Sequence, residues 1–498
     1  MTDRPRHRLA TRRLAEAVDE RVGGARFVRE ALGKVFPDHF SFMLGEVALY
    51  CFLVLVVTGT FLCFFFEPSQ RTVTYDGSYA PLQGQQVSAA YDSAVRLSWD
   101  VRAGLLVRQV HHWAALVFLA AIVVHLARIF FTGAFRKPRD LNWIVGVTLL
   151  VAAIGNGFAG YSLADDLLSG TGLRIMFSIV ESVPFVGDTA AFWIFGGEYP
   201  ADDIIGRLFV VHILVLPALI AALIGVHLAL VVRQKHTQFP GPGRTEENVV
   251  GTHLWPAYAA KSISLLLAVV GVLLLLGGLV QINPIWIYGP YDPAAVTTAA
   301  QPDWYMGWLE GALRLFPAWE LRAFGHTVPN QFFPAVLMPG LTFALLYAWP
   351  FLERRATGDH EVHHLLDSPR DRPVRTAIGA TALTFYGVLF VAGSQDVLAV
   401  ELGVSVNGLT WVLRGSCWCC RSWSACSCIG GAGTSPEATP RRPRPRPSWP
   451  STSGHRAGSA LRDDRQIVGH HHPAGAQPRV PGRPPQEPRR EQRHPAAR

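Results

Sequence analysis

Residues 108–128 read RQVHHWAALVFLAAIVVHLAR, and residues 207–227 read RLFVVHILVLPALIAALIGVH. Each stretch is long and apolar enough to cross a bilayer, whose hydrocarbon core takes about 20 residues of helix. Yet both hold histidines: a widely spaced pair in each, His111 and His125 in the first, His212 and His227 in the second, with His112 beside His111. Ionisable side chains at membrane depth are costly, so they mark a function by default. The two intervals are 14 and 15 residues. At about 100° per residue, both intervals return to within roughly 60° of the same helix face. They rise about 21 to 23 Å, close to the hydrocarbon thickness. Two such helices side by side would set His111 opposite His212 near one membrane face and His125 opposite His227 near the other. Neutral imidazoles facing across a bundle suit the axial positions of haem iron. The pattern predicts two stacked bis-histidine haems. His112 points about 100° away from His111 and falls outside that ligand set.

The neighbouring spans carry a matching interval. Gly45 and Gly59, and again Gly146 and Gly160, are 14 residues apart. Glycine lets a flat macrocycle approach a helix backbone closely, although small residues also serve plain helix packing. Arg108 and Arg207 precede their histidines by three and five residues. Such arginines suit haem propionates.

Working outward, apolar runs predict seven spans at roughly 42–66, 109–131, 142–163, 208–232, 263–282, 332–351 and 376–400. An eighth apolar stretch near Leu402 is interrupted. Of all 498 residues, 50% are hydrophobic and only 16% charged, which argues against a soluble globular protein. The fold class expected is therefore all-α, a polytopic transmembrane helical bundle with the haems in its N-terminal four helices. Residues 1–39 form a cytoplasmic segment, amphipathic over Arg12–Phe36. A dihaem-binding domain follows at 40–235 and a C-terminal domain at 236–412. A Cys-rich, then Pro/Arg-rich, tail occupies 413–498.

The formal net charge of +8 hints at nucleic acid, but its location removes the hint. From Gly415 onward there are 14 basic and 5 acidic residues, against 31 and 32 before it. That tail holds Cys417, Cys419, Cys420, Cys426 and Cys428, then Arg-Pro repeats and His470–His472. It reads as disordered, and the abrupt change after Arg414 also fits an altered reading frame. The informative charge pattern lies in the loops. With the N-terminus inside, inner segments hold 22 Lys and Arg, outer segments 8. The positive-inside rule then makes the N-terminus cytoplasmic. One rival signal is His360-Glu361-x-x-His364, an HExxH string that can mark a zinc protease. It lies in a polar loop and lacks an evident third ligand.

Together, the paired glycines, Arg108-x-x-His111, His125-Leu-Ala-Arg128, Arg207 before His212 and Pro302-Asp303-Trp304-Tyr305 resemble cytochrome b of the cytochrome bc1 complex. The resemblance covers about residues 26–412, and Gly160-Tyr-Ser-Leu-Ala-Asp-Asp166 is similar to actinobacterial members. It implies two non-covalent b-type haems in a bacterial cell membrane. It implies quinol oxidation, with menaquinol as the substrate, at an outer site. One electron would go to a Rieske iron–sulfur partner and the other across the haems to an inner quinone site. A dihaem cytochrome c, a terminal oxidase supercomplex and a dimer are the implied assembly. Pro302, Asp303, Trp304 and Tyr305 look like the family's Pro-Glu-Trp-Tyr quinol motif, with Asp303 as proton acceptor and Tyr305 as hydrogen-bond donor. Gly170 and Thr171 would wall the same site. At the inner site the resemblance expects a carboxylate near the start of span five, where Lys261 and Ser262 stand; His236, His253 and Lys261 are the candidates. The alternative within redox chemistry is a dihaem membrane anchor of a dehydrogenase, which would lack the Pro302–Tyr305 motif.

Overall fold

The computed structural model describes residues 32–295, 301–323 and 325–417. The amphipathic reading up to residue 31 and the tail from residue 418 lie outside the described residues. Among the described residues, seven helices are long and apolar enough to cross a membrane: Phe40–Cys63, Gly104–Phe131, Asp140–Ala164, Ile204–Gln234, Leu254–Leu279, Phe333–Thr357 and Pro373–Ala392. They are called spans one to seven below. All seven runs expected from hydropathy are present. Span seven stops at Ala392 rather than near residue 400, because Gly393 and Ser394 break it before a separate helix at Gln395–Leu402. The interrupted eighth stretch is helical over 406–417. It is held by Arg414 Nε donating to the Leu315 carbonyl at 2.7 Å and by Leu413 packing near Ala312 and Leu389.

Span one packs along span two, span three along span four, and span five closes against spans one and two. Cys51, Ala114, Leu119, Ala153, Ile220 and Leu273 fill the shared core. Small side chains there bring the backbones close, the usual basis of helix association in lipid, where apolar burial drives little. Val57, Leu267 and Leu345 point outward, as a lipid-facing surface requires.

Helix parity puts three long connections on one side. They carry a hairpin pairing Thr72–Thr74 with Gln86–Ser88, followed by the helix Ala89–Trp99. Between spans three and four come Leu167–Glu181 and Gly187–Phe195, and between five and six Trp304–Leu315. On the opposite side, Val35–Phe36 pairs with Thr252–His253.

Span four contains a feature that explains its longer histidine interval. Residues Val211–Val215 form a π turn, in which the Leu216 N–H donates to the Val211 carbonyl five residues back. Pro217 follows and has no N–H to give. A π bulge inserts one residue into an α-helix, so 15 residues in span four do the angular work of 14.

Candidate redox site

The four helical spans bring the histidines together in two pairs. The rings of His111 and His212 have centroids 6.1 Å apart, those of His125 and His227 6.5 Å. A first-row metal held at about 2.0–2.1 Å from one nitrogen of each ring would set the centroids roughly 6 Å apart, so both pairs fit a single coordinated iron. The glycines meet the same rings. A Cβ on Gly59 would lie 3.1 Å from His111, and one on Gly45 3.4 Å from His125. Gly160 leaves His212 still less room, while Gly146 stands 3.9 Å from His227 by the same measure. Each glycine therefore pairs with one histidine, Gly59 and Gly160 at one level and Gly45 and Gly146 at the other.

Hydrogen bonds fix the rings of the His111–His212 pair. Thr58 Oγ1 lies 2.8 Å from His111 Nδ1, and the Asn156 carbonyl 3.0 Å from His212 Nδ1. A partner on Nδ1 leaves Nε2 as the free ligand atom, the usual second-shell device at metal-binding histidines. His125 Nδ1 is buried without a partner, and His227 Nδ1 faces the Asn142 backbone without a full hydrogen bond. Two arginines also carry unpaired buried nitrogens: Arg108 at Nε, Arg128 at Nε and Nη2. Arg108 gives one bond to the Asn283 carbonyl at 3.0 Å, and Arg128 lies over the Phe42 ring at 4.3 Å. Orphaned guanidinium nitrogens beside the histidine pairs fit an anionic group such as a propionate. Arg128 was not singled out for this role from sequence. Arg207 sits differently, partly exposed and bonded to Asp203 and the Trp193 carbonyl.

The Pro302–Tyr305 motif opens the helix Trp304–Leu315. Asp303 occupies the N-cap position but makes no capping bond. Its carboxylate instead meets His112 Nε2 at 2.7 Å. His112, outside the haem ligand set, thus joins the acidic motif; its 100° offset from His111 was the available signal. Tyr305 is 3% exposed, and its hydroxyl crowds Gly157 on span three. Burial, and then the nearby Asp303 charge, hold its phenol well above the ordinary range, so it remains a hydrogen-bond donor. Trp304 packs beside it, ring centroids 6.3 Å apart.

Gly170 lies in the helix Leu167–Glu181. The Tyr291 ring covers its Cα, and its carbonyl accepts from Tyr199, whose hydroxyl also meets Tyr291 at 2.6 Å. The Thr171 hydroxyl turns back to the Leu167 carbonyl of its own helix at 2.7 Å. Below them Asp166 caps that helix in a reciprocal pair with Ser169. It is fully buried, and burial pushes its pKa up to about 6.

At the other membrane face, His236 packs on Phe36 at 4.4 Å, His253 Nδ1 meets the Gly33 carbonyl, and Lys261 pairs with Asp38 at 2.6 Å. His360, Glu361 and His364 lie in an irregular loop, and His364 Nδ1 accepts from Arg139 at 2.8 Å. Among the described residues no group of three His, Cys, Asp or Glu is arranged to hold a metal.

Fold and site together define a polytopic helical membrane protein of the cytochrome b class. Residues 116–290 match the family described as Cytochrome b(N-terminal)/b6/petB. The chain is 55% identical over 403 residues to the cytochrome bc1 complex cytochrome b subunit of Mycobacterium tuberculosis (strain H37Rv), covering 81% of this chain and 73% of that one. It is 50% identical over 406 residues to the subunit of the same name from Streptomyces coelicolor, covering 81% and 74%. A structure titled "Hyperthermophilic respiratory Complex III" superposes with a TM-score of 0.62 at 20% identity, over 84% of this chain and all of that one; it supports the fold. The chain belongs to the family of cytochrome bc1 complex cytochrome b subunits, whose cofactor is b-type haem.

Proposed function

We propose that the protein is the dihaem subunit of a quinol–cytochrome c oxidoreductase. His111 and His212 would hold the outer haem iron, His125 and His227 the inner one, and Arg108 and Arg128 would offer their unpaired nitrogens to propionates. Bound there, the haems supply one-electron transfer across the membrane. Gly45, Gly59, Gly146 and Gly160 keep side chains out of the haem planes. The observation that carries this reading is the pair of ring separations, 6.1 and 6.5 Å, each flanked by its own glycines.

Quinol oxidation removes two protons as well as two electrons, so its site needs an acceptor. Asp303 takes one proton from the quinol hydroxyl, and His112 at 2.7 Å orients the carboxylate and can accept that proton onward. Tyr305 donates to the quinol oxygen from its dry pocket. Pro302 and Trp304 shape the wall, with Gly170 and Thr171 behind it. With haems bound at the two histidine pairs, one electron would pass to a Rieske iron–sulfur partner and the other would cross to a quinone on the inner side. The relatives' names support assembly into a bc1 complex, and their actinobacterial sources support menaquinol, a dihaem cytochrome c and a terminal oxidase. A dimer in the bacterial cell membrane, N-terminus cytoplasmic, completes the reading; the loop-charge asymmetry supports that orientation.

The test is a reduced-minus-oxidised spectrum of the purified complex, titrated with dithionite. Two b-type components with separate midpoints are expected. A single component, or none, overturns the assignment.

A further inference from the structure

Glu46 is a carboxylate inside span one, and three hydroxyls from two helices close on it. Tyr50, one turn along, donates at 3.1 Å; Ser262 of span five donates at 2.6 Å; Tyr258, also of span five, donates to the other oxygen. Tyr50 and Ser262 also lie within hydrogen-bond reach of each other, an alternative to one of their bonds to Glu46. A carboxylate at membrane depth is expensive, and helices can be joined there by neutral groups alone. Its position gives the cost a reason. The preceding residue, Gly45, packs on His125 of the inner pair. On the membrane-face side, Phe36 stacks on Tyr258 at 4.4 Å, and the half-exposed Asp38–Lys261 pair opens to water. A histidine pair suited to an electron carrier, a cluster of hydroxyls and a water-exposed ion pair thus neighbour one carboxyl group.

We infer that Glu46 is the proton donor to the quinone reduced at the inner site, a role that rests on the dihaem reading above. Quinone takes two electrons, which a haem held by His125 and His227 would supply singly, and two protons, one on each oxygen, to become quinol. The Glu46 O–H bond breaks as a quinone O–H bond forms. The carboxylate regains its proton through the Tyr258, Tyr50 and Ser262 hydroxyls from water at the Asp38–Lys261 opening, and water on that side provides the second proton.

The experiment uses the assembled complex. Its inner haem is reduced and then mixed by stopped flow with a short-tailed naphthoquinone, in H2O and in D2O. Glu46→Gln should slow haem reoxidation on the order of 100-fold, within the range that positioned general acids contribute, and change the solvent isotope effect. The haem spectrum and the first reduction by quinol should stay as in the unmodified complex. Glu46→Asp, which keeps a carboxyl group, should recover most of the rate. Reoxidation of Glu46→Gln at the unmodified rate overturns the proposal. So does an equal slowing in both variants with a shifted haem spectrum, which would make Glu46 a helix clamp. Failure of naphthoquinone to reoxidise the haem in the unmodified complex would bring down the dihaem reading itself.

Discussion

The two halves of the four-helix core, outer at His111–His212 and inner at His125–His227 in the orientation proposed above, carry the same histidine–glycine pattern but secure it differently. In the outer half both Nδ1 atoms have partners, Thr58 Oγ1 and the Asn156 carbonyl, and the glycines are tight. In the inner half His125 Nδ1 is unpartnered and the glycines stand further off. The acids differ too. Asp303 reaches across from a connecting helix to one histidine, whereas Glu46 sits within a span and collects three hydroxyls. Hydrogen bonds hold ring orientation in the outer half, and packing holds it in the inner. Ligand changes should therefore act independently at the two levels, while small steric changes should be felt most in the outer one.

The largest effect should come from the ligands. His125→Ala or His227→Ala should remove one b-type component from the difference spectrum and leave the other, and His111→Ala or His212→Ala should remove the complementary one. Retention of both components in any of the four variants would break the pairing. Next comes Asp303→Asn, expected to lower quinol oxidation by about 100-fold, the scale of a lost general base, with both haems intact. Turnover of that variant near the unmodified rate would remove the proton role and leave Asp303 as a partner of His112 only. His112→Gln should cost less, on the order of tenfold, because it removes the orienting partner and not the acceptor.

These sites were not equally legible in the sequence. The spans were plain because lipid demands about 20 apolar residues each, and the histidines stood out because water is absent there. Asp303 was found through its tetrapeptide. His112 was missed as its partner because the contact joins residues 191 apart, and helical periodicity says nothing about distant loops. The unequal intervals, 14 and 15, are reconciled by the π turn at Val211–Val215, which takes up the extra residue. Glu46 was invisible for a related reason. The resemblance expects a carboxylate at the start of span five; Ser262 stands there, and its hydroxyl donates to Glu46 of span one. Which helix supplies a group is settled by packing, and a single sequence does not display packing.

The glycines sharpen the comparison by degree. Added methyl groups should disturb the histidines in the order Gly160, Gly59, Gly45, Gly146, following the clearance each Cβ would have. Electron paramagnetic resonance of the oxidised haems reads axial ring orientation. Gly160→Ala and Gly59→Ala should shift the outer haem signal, while Gly146→Ala, with 3.9 Å of room, should leave the inner one nearly unchanged. A larger shift from Gly146→Ala than from Gly160→Ala would contradict the outer half's tighter fit.

The smallest effect concerns stability and belongs to the outer connection alone. Asp166 is buried with one carboxylate oxygen unpartnered, and its pKa is pushed up to about 6 by that burial. A carboxyl whose folded pKa exceeds its unfolded one stabilises most when protonated. The benefit is complete below about pH 4, fades as pH rises toward 6, and is absent above it. A rise of about two units corresponds to roughly 3 kcal/mol charged against the folded state at neutral pH. Asparagine caps helices about as well as aspartate and carries no charge to bury. Asp166→Asn should therefore raise the thermal midpoint of the purified complex at pH 7.5 by several degrees and confer little at pH 4.5, with quinol oxidation unchanged. An advantage of equal size at both pH values would mean that the gain comes from hydrogen bonding and not from the buried charge.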